Sequence, residues 1–104
     1  MKRQKTKLRD QRHMERVQSL GCVVCRNEGH GASPAEVHHL LKSGRRMGHR
    51  FTIPLCPPHH RPTIVETNIV FVSRHPYKKR FESKYGTELE LLEQTNRELE
   101  AIYG

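Results

Sequence analysis

Residues 52–61 read Thr-Ile-Pro-Leu-Cys-Pro-Pro-His-His-Arg, and inside them Cys56-Pro57-Pro58-His59 repeats the spacing of Cys22-Val23-Val24-Cys25 upstream. Two metal-binding side chains separated by two residues grip an ion from one tight turn. Two such pairs complete the four-ligand tetrahedron of a structural zinc site. Cys22, Cys25, Cys56 and His59 are therefore the expected zinc ligands. His30, just beyond the first pair, is the competing fourth ligand; His59 is preferred because it keeps the spacing. The chain carries more histidines around these pairs than a closed site can use: His38, His39, His60 and His75. That surplus points to a second, open metal site beside the first.

The three cysteines cannot all pair as intramolecular disulfides, and zinc-bound thiolates in a reducing cytoplasm are the better expectation. With 104 residues, 34% of them hydrophobic and no Trp, one small domain with a thin core is expected. A bound metal would offset that shortage. The N-terminal residues are charged throughout, so a signal peptide is not expected, and no apolar run is long enough to span a membrane.

The net charge of +8 is unevenly placed. Residues 1–17 hold seven Lys/Arg against Asp10 and Glu15, whereas residues 87–104 hold five Glu against Arg97. A basic excess in the N-terminal arm and the centre is the electrostatic footprint of a protein that binds the phosphate backbone, although it also serves solubility. The expected division is a basic arm or helix at 1–17 and a zinc-containing domain at 18–104.

Working outward from the Cys/His pairs, Met14, Val17 and Leu20 begin an amphipathic turn that Gly21 ends, and residues 26–34 read as a loop. Residues 36–41 form a strand candidate containing His38 and His39. Neighbouring strand side chains face opposite sides, so the two histidines cannot share one role. Residues 51–55 form a second strand, with Pro54 at its end or on an edge, and the two strands pair as a hairpin. Its connection carries Lys42, Arg45, Arg46, His49 and Arg50. Pro57, Pro58 and Pro62 are expected to delay any regular helix after Cys56. Residues 63–72, rich in β-branched side chains, read as a strand or a packed extended segment. Pro76 sits near the start of a helix bearing Tyr77, Phe81 and Tyr85 on one face. Gly86 closes that helix, and Thr87 with Glu90 is a capping box for the next. Leu89, Leu92, Leu99 and Ile102 are its expected core stripe.

The chain has no Gly-rich phosphate loop, no GxSxG nucleophile turn and no zinc-deaminase spacing. With the cysteines assigned to zinc, no nucleophilic Cys remains. Histidine, with an ordinary pKa of about 6.5, can hold a metal or take a proton from water near neutral pH.

The runs Glu36-Val37-His38-His39-Leu40, Thr52 through Arg61, Phe81-Glu82 and Tyr85-Gly86-Thr87-Glu88 occur in order. Together they resemble the phage recombination-enhancement (Ref-type) branch of the HNH endonuclease superfamily, over roughly residues 20–92. The resemblance implies an α+β fold with a ββα-metal active site and C-terminal helices. It implies metal-dependent cleavage of DNA, directed by RecA filaments, in the cytoplasm of a bacterial host with a phage or prophage source. By position, His39 matches the general base, and His38, His60 and His75 match the ligands of a catalytic Mg2+, Mn2+ or Zn2+. Arg45, Arg46, Arg50 and Arg61 would hold flanking phosphates. The sequence departs from the pattern at the asparagine that commonly orients the base: Phe51 falls near that place, with His49 or a backbone carbonyl as substitute. Residues 61–74 are also longer and more apolar than a plain ββα turn requires. The competing reading is a non-catalytic zinc module that binds DNA or a recombination partner.

Overall fold

The computed structural model describes residues 6–104; residues 1–5 of the basic arm lie outside them. Helix α1 (Leu8–Ser19) is continuous, so the turn expected from Met14 is the second half of a longer helix. Its polar sequence leaves Leu8 exposed and buries one residue completely, Val17. Gln18 Nε2 donates to Ala35 O at 3.0 Å, and α1 lies against the main strand pair. Gly21 follows at φ +77°, where an added Cβ would come within 2.8 Å of Ala32 Cβ. Only glycine takes that conformation and that approach without strain.

Helix α2 (Val23–Asn27) carries the first Cys pair: Cys22 is its N-cap, and its sulfur accepts from Cys25 N at 3.4 Å. Strand β1 (Glu36–His39) follows, then the short strands β2 (Leu41–Lys42) and β3 (Arg45–Arg46), then β4 (Thr52–Leu55). β1 pairs antiparallel with β4, His38 opposite Ile53 and His39 opposite Thr52, as the hairpin expectation requires. The basic connection is itself a small ribbon, β2 against β3. Ser43 and Gly44, at φ 52° and 77°, turn it in the left-handed conformation that suits a two-residue hairpin loop. Pro54 is tolerated because a two-stranded sheet consists only of edges.

Helix α3 (Pro57–His60) corrects one expectation. The prolines do not delay a helix; they occupy its first turn, where a missing N–H leaves no hydrogen bond unmade. A second correction concerns residues 61–73, which form no strand and no helix. Phe71 and Val72 pack on the core, but Ile64 and Val70 stand in solvent.

Helix α4 (Lys78–Tyr85) buries Phe81, whose ring meets Tyr85 edge-on at 5.1 Å; Tyr77 is exposed, so the expected face is only partly used. Helix α5 (Glu88–Tyr103) opens with the expected capping box at Thr87 and Glu90. Its buried face is Glu88, Leu91, Leu92 and Thr95, whereas Leu89 and Ile102 are exposed. Arg26 Nη1 and Nη2 donate to Glu98 at 2.6 and 3.1 Å and tie α5 to α2.

The core gathers Val23, Val24, Leu40, Ile53, Leu55, Phe81, Leu91 and Leu92 around the three cysteines. Each large aliphatic or aromatic side chain fully buried there stabilises the fold by about 1.5–3 kcal/mol before its entropy cost. The result is a small α+β domain. Among the described residues no helix is long and apolar enough to cross a membrane.

Candidate active site

Cys22, Cys25, Cys56 and His59 are all buried and converge from α2, the end of β4 and α3. His59 Nδ1 lies 3.5, 3.5 and 3.2 Å from the sulfurs of Cys22, Cys25 and Cys56, and Cys25 Sγ is 3.6 Å from Cys56 Sγ. Tetrahedral ligands at zinc bond lengths of about 2.0–2.3 Å must sit roughly 3.3–3.8 Å from one another. The cluster meets that requirement, and a separation of 3.6 Å is far too long for a disulfide. These four residues could hold a metal such as zinc. Contact with Cys56, helped by His59, pulls the Cys22 thiol down to about 3, while the same contact and burial push Cys56 up. His30 is exposed and outside the cluster. His59 is further wedged between Phe71 and Tyr85, at ring distances of 4.6 and 5.0 Å.

A second cluster adjoins the first. His38 comes from β1, His60 from the last residue of α3 and His75 from the segment before α4; their ligand nitrogens lie within 4.8 Å of one another. The three rings form a near-equilateral triangle, with centroids 5.0, 5.1 and 5.3 Å apart. His38 is 1% exposed and the other two are half-buried. Burial lowers the pKa of His60 and of His75, which keeps these imidazoles neutral and their lone pairs free. Three imidazoles with ligand nitrogens gathered this closely could hold a divalent cation with coordination positions left open.

Two carboxylates that the sequence reading left without a role brace this cluster. Glu88, 5% exposed in the first turn of α5, accepts from His38 Nε2 at 3.1 Å and from Arg74 Nε. Burial works against its charge, but His38 and Arg74 overcome that and hold the carboxyl below its ordinary range. Glu36 pairs with His60 Nδ1 at 2.9 Å and with Arg61 at 3.2 and 2.7 Å, and Arg61 in turn keeps it ionised. A carboxylate on the outer nitrogen of a histidine fixes ring and tautomer and makes the other nitrogen a stronger donor. Both glutamates stand inside the motif runs quoted above, which was the available signal.

His39 points away from His38, as its strand position demands, and is half-buried. Its Nε2 lies 3.0 Å from His49 Nδ1. Burial, then the charges of Arg46, His49, His38 and His60, push His39 down to about 4. Among the expected phosphate contacts, Arg45 and Arg46 are exposed on β3. Arg50 leans on Asp10 and His13 of α1 at 3.5 and 3.1 Å, and Arg61 is engaged by Glu36 with its side chain 53% exposed.

A comparison against curated proteins gave no match. The family described as recombination enhancement, RecA-dependent nuclease, matches residues 7–100, a span that holds both clusters and the histidine pair on β1. With the motif order, the α+β fold and this match in agreement, the chain belongs to the recombination-enhancement, RecA-dependent nuclease family.

Proposed function

We propose that this protein is a metal-dependent DNA endonuclease of the HNH type that acts in recombination on DNA held by RecA. The observation that carries the proposal is the pair His38-His39 on β1: one imidazole joins the His60 and His75 cluster, and the other stands beside it against His49. With its Nε2–H donated to His49 Nδ1, His39 keeps the Nδ1 lone pair and takes the proton from the water that attacks phosphorus. His49 thereby does the work of the orienting asparagine that the sequence lacks. His38, His60 and His75 hold the catalytic divalent ion, Mg2+, Mn2+ or Zn2+. Such an ion supplies Lewis-acid stabilisation of the charge that builds on the phosphate. Glu88 and Glu36 keep His38 and His60 in the ligating orientation. Cys22, Cys25, Cys56 and His59 hold the structural zinc. Arg45, Arg46, Arg50 and Arg61 face the flanking phosphates, which positions DNA without reading its sequence.

The test is cleavage of single-stranded and supercoiled DNA with Mg2+ or Mn2+, with and without RecA filaments, comparing wild type with His39→Ala. The variant should lose about 10²–10⁴-fold in rate, the usual worth of a positioned general base. Its DNA binding and zinc content should be unchanged. Full activity in His39→Ala sinks the mechanism, and binding without cleavage by wild type under every condition favours a non-catalytic zinc module.

A further inference from the structure

The basic residues of α1 take no part in the chemistry proposed above, yet they are not scattered. Arg9, Arg12, His13 and Arg16 recur at three- and four-residue intervals and so share one face of the helix. With Leu8 and Arg50 they line one open recess. His13, Arg16 and Arg50 also line the adjoining recess, which runs to Leu99 and Tyr103 of α5. Among the described residues none of Arg9, Arg12 and Arg16 is paired with a carboxylate, whereas Arg26, Arg61, Arg74 and Arg97 all are. Arg16 instead lies over the Tyr103 ring, 4.4 Å from its centroid. Two acids stand close: Asp10, 3.5 Å from Arg50 Nε, and Glu100, on the wall of the adjoining recess. The guanidinium groups of Arg9, Arg12, Arg16 and Arg50 outnumber them.

A buried donor in the same place lacks a partner. Arg50 Nη1 donates to His13 Nδ1 at 3.1 Å. Arginine is never an acceptor, so a neutral ring bonded this way carries its proton on Nε2. Burial, then the charge of Arg50, lowers the pKa of His13 and keeps the ring neutral. Its Nε2 is buried and has no hydrogen-bond partner among the described residues. A donor left in that state costs stability until an acceptor reaches it. Unpaired arginines around an unmade N–H are the chemistry of an anion seat. The recess is also joined to the proposed general base: Arg50 follows His49 directly in the chain, and His49 Nδ1 lies 3.0 Å from His39 Nε2.

We infer that the Arg9, Arg12 and Arg16 face of α1, together with Arg50, is a groove that holds the phosphodiester backbone of the DNA strand running away from the His39–His49 pair. The inference rests on the proposed nuclease and deepens it by giving the path of the substrate. At about 1.5 Å per residue, the face from Arg9 to Arg16 is about 10 Å long. That is the axial length of about three phosphates of one strand, at about 3.4 Å each. A hold of this kind positions DNA without reading its sequence.

The experiment measures DNA affinity as a function of salt, without added divalent ions so that no strand is cut. Wild type is compared with the triple variant Arg9→Gln, Arg12→Gln, Arg16→Gln. A second triple variant, Lys78→Gln, Lys79→Gln, Arg80→Gln, removes the same charge from exposed positions of α4. Glutamine keeps the helix propensity, and zinc content checks the fold. The α1 variant should bind at least about tenfold more weakly at about 0.1 M salt. Its slope of log affinity against log salt should shrink by about 2–3, at about 0.7–0.9 per lost phosphate contact. The α4 variant should lose less than about 1 in slope. An α1 variant with the wild-type slope overturns the inference. Equal losses in the two variants also overturn it, because net charge alone would then hold the DNA. Wild type without measurable DNA affinity overturns it together with the nuclease reading. Cleavage is assayed separately with Mn2+; wild type that binds through α1 yet never cuts removes the nuclease reading and leaves the groove in place.

Discussion

His38 and His39 are adjacent in the chain and sit in different chemical environments, and the difference follows from strand alternation alone. His38 is sealed against Glu88, whereas His39 is half-open beside Arg46 and His49. A general base must be neutral to act. Because the pKa of His39 is pushed down to about 4, it stays neutral at any pH above that and loses its base form only below it. At saturating metal, the acid limb of the kcat/KM profile should therefore fall well below the ordinary histidine value of about 6.5. A limb centred at or above 6.5 would show that His39 is not the group being titrated. That the two histidines face opposite sides was legible from strand alternation, whereas the choice of His38 as the inward one came only from the family resemblance. Glu88 was not legible, because its partner His38 lies 50 residues away and only the fold joins them.

Helix α5 begins where its sequence announces it, but its inward face is only partly the expected one. Thr87 and Glu90 announce its start, and the capping box is present. The leucine and isoleucine stripe is only half used: Leu92 is buried and Leu99 half-buried, but Leu89 and Ile102 stand in solvent, and two polar residues, Glu88 and Thr95, take buried places. Each is satisfied there: Thr95 Oγ1 donates to Leu91 O at 2.8 Å, and Glu88 meets His38 and Arg74. A pattern of apolar and polar letters cannot show such partners. Glu88→Gln removes the charge and keeps the shape, so Mn2+ affinity at the three-histidine cluster should drop by about 10–100-fold. Zinc content at the cysteine cluster should stay the same. Calorimetric titration of Mn2+ measures the first and metal analysis the second; unchanged Mn2+ affinity would leave Glu88 no part in holding His38.

For the whole molecule, the thin core expected from composition is what forms, and the cysteine cluster sits at its centre, joining α2, β4 and α3. The α+β class and the pairing of β1 with β4 were legible, because the alternation around His38 and the apolar run before Cys56 mark two strands joined by a short basic connection. The course of residues 61–73 was not, since β-branched residues favour a strand only where another strand can pair with them. Structural zinc sites in small domains bind with roughly 10–16 kcal/mol. Stability of a domain this size is typically about 5–15 kcal/mol. Stripping the metal with a strong chelator, or changing Cys56→Ser, should therefore abolish the cooperative thermal transition seen by circular dichroism. A chelated protein that melts as before would show that its core stands without metal.

His59 and His60 are consecutive residues of α3, yet they belong to different clusters. One planar peptide bond joins the two centres, and it is among the stiffest links a chain contains. The helices around them can lengthen and the loop can be rewritten over generations. The dipeptide leaves no such freedom, because any shift that improved one centre would be transmitted at once to the other. Lineages of this fold should therefore vary at their periphery while inheriting the pair of centres as one indivisible unit.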